Sequence, residues 1–220
     1  MVRNANETFK THAYNVIRGR ILSCELQPGA PISEQDLIKE LGISRTPIRE
    51  ALNRLEAEHL VTIYPKRGIF VTEVSIKDIM DIYMLREAIE PIAARLAATN
   101  MDFDKLKALH DKYYSQEARH DLESYIEADL EFHKLVAEST GNMYLEQILK
   151  NLYAQNSRIR IISKVRIKEH EAEAWLEVTK VIEALMDRDP SRAEDLMKKH
   201  IRNGNASALK AIGFVHEEKG

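Results

Sequence analysis

Several features that mark other classes of protein are scarce or absent in this sequence. Cysteine occurs once, as Cys24, so the chain cannot close an internal disulfide, and this favours a reducing compartment such as the cytoplasm. No apolar run approaches the roughly 20 residues that a membrane helix needs, and the N-terminus carries no apolar signal segment. We therefore expect a cytoplasmic protein that does not enter a membrane.

An excess of positive charge, the usual mark of a nucleic-acid-binding protein, is also missing. The formal net charge is −3, from 32 Lys and Arg against 35 Asp and Glu. Any binding to DNA must therefore depend on local clusters of cations and on a dimer that doubles the contacts. What remains is an ordinary globular composition over 220 residues, enough for one large domain or two small ones.

The sequence from residue 33 to residue 57 predicts two helices joined by a tight turn. Ser33 and Asp36 have the spacing of a capping box, and Gly42 stands where a helix ends in a left-handed residue. Ser44 opens the second helix, and Pro47 lies in its first turn, where the missing N–H costs little. Two helices with this turn are typical of a helix-turn-helix.

A β-hairpin is predicted directly after the second helix. Residues 60–64 and 69–71 are rich in β-branched and aromatic side chains, and Pro65-Lys66-Arg67-Gly68 between them forms a turn with two cations. The apolar residues of the second helix should face the core, which leaves Arg45, Arg49 and Arg54 on or beside its outer surface. A basic helix beside a basic hairpin suits DNA. A solvated helix face is the alternative interpretation.

Beyond residue 74 the pattern becomes entirely helical. Ser75 and Asp78 form a second capping-box signature, and amphipathic segments separated by short loops predict an antiparallel all-α bundle. Pro91 should kink or split the first of these helices. The predicted fold is therefore mostly α, with a winged helix-turn-helix of three helices and a two-stranded wing in residues 1–74 and a helical bundle in residues 75–220.

Both halves resemble known families. The string SRTPIREALNRLEAEHLV, followed by RGIFV, resembles the winged helix-turn-helix of GntR-type transcription regulators over about residues 11–73. The strings YMLREAIEPIAARLAA, EADLEFHKLVAESTGN and RDPSRAEDLMKKHI resemble the effector-binding FCD domain of the FadR-like branch of those regulators. The first resemblance, with the basic turn, implies these operator contacts: Arg45, Thr46, Arg49, Arg54, Lys66, Arg67 and Gly68.

A metal site is the clearest candidate for chemistry in the second half. Asp129 and His133 are four residues apart on one predicted helix, so they share a face, and His200 lies on the last helix. The FCD family pairs such an Asp and His with two more histidines, of which His200 matches one, while the other position is occupied by Val178. Three ligands can hold zinc or nickel. A polar pair in the core and a solvated face are the alternatives.

Arginines in apolar surroundings are the candidates for effector binding. Arg86 lies in an apolar run on the first bundle helix, and Arg158 and Arg160 stand among isoleucines, so each needs an anion if it is buried. Either Arg86 pairs with Glu90, four residues later, or it clamps an effector carboxylate. Arg158 and Arg160 are weaker candidates.

The preferred interpretation is a ligand-responsive transcription regulator, most simply a repressor of a metabolic operon and not an enzyme. It would bind a short palindromic operator in double-stranded DNA as a homodimer and respond to a small carboxylate held in the bundle. Three alternatives stay open. They are a metal-free regulator with a larger or apolar effector, a bundle that only dimerises, and a metal-dependent hydrolase built on Asp129, His133 and His200.

Overall fold

The chain divides into two compact units, residues 1–74 and residues 75–220. The computed structural model describes residues 5–114, 122–163 and 168–217, and side chains within 8–114, 127–162 and 173–211. The first unit contains, in order, α1 (Ala5–Leu22), β1 (Pro31–Ile32), α2 (Glu34–Leu41), α3 (Arg45–Ala57), β2 (Val61–Tyr64) and β3 (Gly68–Val71). The second contains α4 (Ile76–Asn100), α5 (Phe103–Tyr114), α6 (Leu122–Glu138), α7 (Met143–Ser163), α8 (Lys168–Met186) and α9 (Pro190–Glu217).

The helix-turn-helix follows the local signals of the sequence. The Ser33 hydroxyl accepts a hydrogen bond from the Asp36 N–H at 3.2 Å, which caps α2. Gly42 ends α2 with φ at 64°, and its N–H donates to the Ile38 carbonyl at 3.1 Å. The helices α1 and α3 then pack through fully buried residues, which include Ile17, Ile21, Ile48, Leu52 and Leu55. Burial of these side chains holds α3 in place and leaves its other face to solvent.

The sheet of the first unit has one strand more than the sequence predicted. Strands β2 and β3 form the expected antiparallel hairpin, with Ile63 opposite Ile69. The short β1 pairs with the other edge of β3, so the strand order is β1-β3-β2 and the wing is a three-stranded sheet. The expectation of a two-stranded wing was therefore incomplete. Strand β1 has only two residues and follows a Pro-Gly turn. It is therefore too short to show the alternation of apolar and polar side chains from which a strand can be predicted.

The second unit is all-helical, as predicted, but its first helix is not interrupted. Ser75 and Asp78 form a complete capping box, with the Ser75 N–H donating to Asp78 Oδ2 at 2.8 Å. Helix α4 continues through Pro91 to Asn100, so the prediction of a split at this proline was wrong. Pro91 is buried, and burial extends along α4 on both sides of it. This packing offsets the loss of one helical hydrogen bond.

The sequence pattern predicts the first helix over residues 11–24, whereas α1 spans Ala5–Leu22. It predicts that the last helix ends near residue 212, whereas α9 continues to Glu217. It also predicts that the second helix of the bundle ends at residue 119, which lies outside the described residues. Helix α4 pairs extensively with α9 and also contacts α6, α7 and α8. The bundle is therefore arranged around α4.

Two glycines in the first unit should respond in opposite ways to the same substitution. No atom lies within 4 Å of a Cβ built on Gly42 or Gly19, so neither change creates a clash. Gly42→Ala places a side chain at φ 64° and should cost about 1–2 kcal/mol in the free energy of unfolding. Gly19→Ala lies inside α1 and should add about 0.5–1 kcal/mol.

Urea unfolding followed by circular dichroism measures both changes. Trp175 is the only tryptophan and lies in the second unit, so its fluorescence monitors the bundle as an internal control. Equal effects of the two substitutions would contradict the assignment of left-handed geometry to Gly42.

Candidate functional site

The outer face of α3 presents the predicted DNA-contacting residues to solvent. Arg45, Thr46 and Arg49 are exposed in the first two turns of the helix. Glu34, at the start of α2, lies against both arginines. Arg49 Nε donates to Glu34 Oε1 at 2.7 Å, and Arg45 Nε is 4.0 Å from Glu34 Oε2. A single carboxylate therefore lies between the two cations that were predicted to meet the operator.

Arg54, three turns into the helix, makes contacts that favour a structural role. Its guanidinium lies over the Tyr14 ring, 3.7 Å from the centroid, and its Nε is 3.3 Å from Glu58 Oε1. The Tyr14 hydroxyl also donates to Glu58 at 2.8 Å. These contacts join α1 to the end of α3. The arginine is still half-exposed, so its predicted contact with DNA stays a prediction.

The turn of the wing presents its basic residues as predicted. Lys66, Arg67 and Gly68 are all exposed between β2 and β3. Lys66 and Gly68 both have positive φ, 64° and 116°, and the Arg67 N–H donates to the Tyr64 carbonyl at 3.1 Å. This tight turn carries two adjacent cations on a rigid hairpin, which is a geometry suited to phosphate contacts.

The three candidate metal ligands come together inside the bundle. Asp129 and His133 lie one turn apart on α6, and His200 reaches them from α9. One ligand atom from each lies within 4.8 Å of the others, and all three residues are buried. The two imidazole rings stack with their centroids 5.5 Å apart. The interpretation of Asp129 as part of a solvated face is therefore wrong.

Each histidine has a carboxylate at its Nδ1 atom. His133 Nδ1 is 2.8 Å from Glu90 Oε2 on α4, and His200 Nδ1 is 3.3 Å from Glu177 Oε2 on α8. Arg86 Nε in turn donates to Glu90 Oε1 at 2.5 Å. A carboxylate at Nδ1 orients the ring and leaves Nε2 as the atom for an ion. His133 Nε2 lies 3.6 Å from Asp129 Oδ2, on the other side of its ring from Glu90.

The electrostatics of the cluster favour neutral imidazoles. Burial lowers the pKa of His133, despite the opposing effect of Glu90. Burial lowers the pKa of His200 to about 4. Burial alone would raise the pKa of Glu90, but the charges and hydrogen bonds of Arg86 and His133 together outweigh it, and the pKa falls to about 2. A neutral imidazole is the form that binds a metal.

A small cavity adjoins the cluster. Its lining consists of Asp129, Leu130, His133, Tyr153, Asn156, Ser157 and Arg160. Within the described part of the chain, three buried polar atoms at this cavity lack a hydrogen-bond partner, namely Asp129 Oδ1, His133 Nε2 and Asn156 Oδ1. Unsatisfied buried donors and acceptors are costly and commonly mark a place for an ion, water or ligand. The residues present therefore fit a metal ion.

The fourth family position contributes no ligand. Val178 lies on α8 and is completely buried. Its aliphatic side chain cannot coordinate a metal, so Asp129, His133 and His200 form a three-residue set. In catalytic and sensing sites, three protein ligands leave a coordination position open for an exogenous group.

The arginines differ from the expectations for effector binding. Arg86 is buried against Glu90 and lies 5.0 Å from the Tyr83 ring centroid, so the structure contains the ion pair that was the alternative to a clamp. Arg158 is also buried, with Nη1 3.4 Å from Gln155 Oε1. Arg160, named above as a weaker candidate, is the one that lines the cavity and contacts Asp129 Oδ2.

Three residues beside the cavity were missed by the sequence analysis. Sequence analysis assigned no site role to Tyr153, Asn156 or Ser157. With Arg160 they occupy positions i, i+3, i+4 and i+7 of α7, which is one face of a helix. That run of polar side chains on one helix face was the signal available.

A winged helix-turn-helix together with an all-helical unit that contains a buried Asp-His-His cluster is typical of one class of protein, the DNA-binding transcription regulators. Residues 9–71 match the bacterial regulatory proteins of the gntR family, and residues 81–203 match the FCD domain. The chain belongs to the gntR family of transcription regulators and carries an FCD domain. FCD domains commonly bind metal, and the cluster described here is where this one could do so.

The curated relatives are transcription regulators as well. The HTH-type transcriptional repressor RspR of Escherichia coli is 27% identical over 202 residues, which cover 90% of this chain and 88% of that protein. The Nta operon transcriptional regulator of Aminobacter aminovorans is 29% identical over 201 residues, covering 89% and 93%. Family and relatives thus confirm a regulator rather than an enzyme, and the hydrolase interpretation is set aside.

Solved structures support the fold. A transcriptional regulator GntR from Rhodococcus superposes with a TM-score of 0.79 at 21% identity, over 91% of this chain and 97% of that one. Escherichia coli McbR/YncC superposes with a TM-score of 0.77 at 21% identity, over the whole of both chains. Among the described residues, no helix has the length and apolarity that crossing a bilayer requires.

The buried ion pair of α4 should be essential for the stability of the bundle. Arg86→Leu leaves the Glu90 carboxylate buried without its guanidinium and should cost about 3–5 kcal/mol in the free energy of unfolding. Urea unfolding followed by Trp175 fluorescence measures this cost. Arg95→Leu, whose ion pair with Glu194 is half-exposed, is the control and should change stability by less than about 1 kcal/mol. Similar losses in both variants would contradict the role given to Arg86.

Proposed function

We propose that this regulator binds its operator as a homodimer, acts as a repressor, and is controlled by a metal ion and a small carboxylate in the FCD cavity. The observation that carries the proposal is the buried cluster of Asp129, His133 and His200 beside a cavity with unsatisfied polar atoms. A protein that is only a scaffold for dimerisation has no need of such a cavity. The names of relatives such as the repressor RspR support the sign of regulation.

The metal would be a divalent transition metal, with zinc or nickel favoured by the donor set. Two imidazole nitrogens and one carboxylate oxygen are borderline ligands that suit both ions. The ion would supply a Lewis-acidic position at which a carboxylate oxygen can bind. The protein's own residues orient the rings through Glu90 and Glu177 and exclude bulk water by burial.

DNA recognition would divide between α3 and the wing. Arg45 and Arg49 are exposed at the start of α3 and have the bidentate geometry that reads guanine O6 and N7, with Thr46 between them. Lys66, Arg67 and Gly68 lie on the wing turn, where contacts with the phosphates or the minor groove are expected. Arg54 would contribute by holding α3 in position as much as by contacting DNA itself.

A homodimer is supported by an apolar stripe on α4. Ile76, Met80, Met84, Leu85 and Ile92 are between 40% and 64% exposed, and most recur at intervals of four residues along the helix. Contiguous exposed apolar surface of this kind marks a protein interface. A second copy of the chain is the proposed occupant, because a palindromic operator requires two recognition helices related by twofold symmetry.

The metal prediction is tested by mass-spectrometric metal analysis after incubation with Zn²⁺ or Ni²⁺ and removal of the excess. We expect close to one equivalent per chain in the wild type. The double variant Asp129→Ala, His133→Ala should hold none, because a single imidazole cannot retain the ion. A variant with His110→Ala, on α5 outside the cluster, is the control and should keep its metal. Absence of metal from the wild type under excess would contradict the proposal.

The two groups of DNA contacts should differ in their effect on sequence preference. Arg49→Ala should cost about 1–3 kcal/mol on a duplex selected from a random library and less on a scrambled duplex. Arg67→Ala should weaken binding to both duplexes about equally and reduce the salt dependence of the affinity. Fluorescence anisotropy across a range of salt concentrations measures both, with the exposed Lys77→Ala in the second unit as the control. Equal wild-type affinity for the two duplexes would contradict the assignment.

The dimer prediction is tested by sedimentation equilibrium. Met84→Glu places a charge in the middle of the α4 stripe and should raise the dimer dissociation constant at least about tenfold, since charge burial costs more than 1.4 kcal/mol. Phe103→Glu, at the start of α5 and also exposed, should leave the association unchanged. A monomeric wild type, or identical behaviour of both variants, would contradict the use of this stripe.

A further inference from the structure

The contact between Arg160 and Asp129 lies at the point where the proposed metal would bind. Asp129 Oδ2 is the carboxylate oxygen that faces His133 Nε2, at 3.6 Å. That separation is close to the distance between two ligand atoms that share one zinc ion at about 2.0–2.2 Å each. Arg160 Nη1 contacts this same oxygen. The guanidinium and a metal ion held between Asp129 Oδ2 and His133 Nε2 would therefore compete for the same oxygen.

The two cations exclude each other on electrostatic grounds. Two positive charges a few ångströms apart repel strongly even at the effective dielectric near a protein surface, and the double charge of a divalent ion doubles the repulsion. The other oxygen, Asp129 Oδ1, is buried without a hydrogen-bond partner among the described residues. In this structure the arginine thus supplies the positive charge that the ion would supply.

The Arg160 side chain can move away from Asp129 when a metal ion binds. Its side chain is 20% exposed, whereas that of Asp129 is 3% exposed, so the guanidinium can move toward solvent while the carboxylate stays. It also lines the cavity together with Tyr153 and Asn156, and Asn156 Oδ1 has no hydrogen-bond partner within the described chain. A carboxylate at the open position of the ion would lie beside these groups. Arginine binds such a ligand through two parallel hydrogen bonds.

We infer that Arg160 is a switching residue that neutralises Asp129 in the metal-free protein and transfers to the effector carboxylate when the metal binds. The inference rests on the proposed metal site and adds a mechanism of regulation to it. Metal and carboxylate then bind with positive coupling. The metal releases Arg160 from Asp129, so that Arg160 can bind the carboxylate, and the carboxylate keeps Arg160 away from the aspartate that the metal needs. By thermodynamic linkage the carboxylate must raise the affinity for the metal by the same factor.

The test compares Zn²⁺ affinities of wild type, Arg160→Gln and Arg160→Lys by competition with a chromophoric chelator, with and without acetate, succinate or citrate. In the wild type at least one of these anions should tighten Zn²⁺ binding. In the absence of anion, Arg160→Gln should bind Zn²⁺ at least roughly tenfold more tightly than wild type, since a competing cation is gone. The anions should no longer enhance that binding.

Arg160→Lys separates the two roles of the side chain. It keeps a cation beside Asp129, so its Zn²⁺ affinity without anion should stay within about threefold of wild type, a difference of less than 1 kcal/mol. It lacks the planar fork, so the enhancement by anion should shrink. Arg95→Gln, on the surface of α4, is the control and should behave as wild type in both measurements. Trp175 fluorescence and circular dichroism establish that each variant is folded.

The outcomes distinguish the inference from the proposed metal site. Weaker or unchanged Zn²⁺ binding by folded Arg160→Gln would show that the arginine supports Asp129 rather than competes with the ion, and would overturn the inference while the metal site stands. Tighter Zn²⁺ binding by Arg160→Gln than by wild type, no longer enhanced by the anions, would support the inference. Failure of both proteins to bind Zn²⁺ would overturn the metal site and the inference together.

Discussion

The bundle depends on a carboxylate buried between two cationic or potentially cationic groups. Glu90 has no exposed surface, and a charge in such a position is tolerated only with close partners. Arg86 supplies the compensating charge from the same helix, and His133 meets the second oxygen from α6. The orientation of His133, and with it the position of the candidate site, therefore follows from an ion pair on α4. The candidate site therefore continues the buried polar contacts of Arg86 and Glu90.

Local signals explain how much of the fold could be predicted. Caps at Ser33 and Ser75 and the left-handed Gly42 are decided by residues three or four positions apart, and all three are where the sequence placed them. The continuity of α4 at Pro91 and the formation of β1 depend instead on residues that are distant in the sequence. The helix continues through the proline because buried residues before and after it hold α4 in the core, and β1 exists because β3 offers an edge. No local pattern contains that information.

The residues of the candidate site also divide into those that local spacing predicts and those that depend on the packing of the helices. Asp129 and His133 could be paired from their spacing alone, and His200 joined them through the resemblance to FCD domains. The choice among three arginines could not be made in this way. Arg158 and Arg160 are two residues apart, and only the rotation of α7 decides that Arg160 reaches the cavity while Arg158 contacts Gln155. The contact of Glu177 with the site could not be predicted either, because its partner His200 lies on another helix.

Glu34 has a consequence for the way this regulator searches DNA. Its carboxylate, at the start of α2, lies between Arg45 and Arg49 on α3. If these arginines make the proposed base contacts, DNA would first have to displace or share that carboxylate. Sequences that offer only backbone charge would gain little from the exchange, whereas a guanine edge bound bidentately by an arginine would repay it. The acidic residue would then raise discrimination by weakening binding to DNA that lacks the right bases.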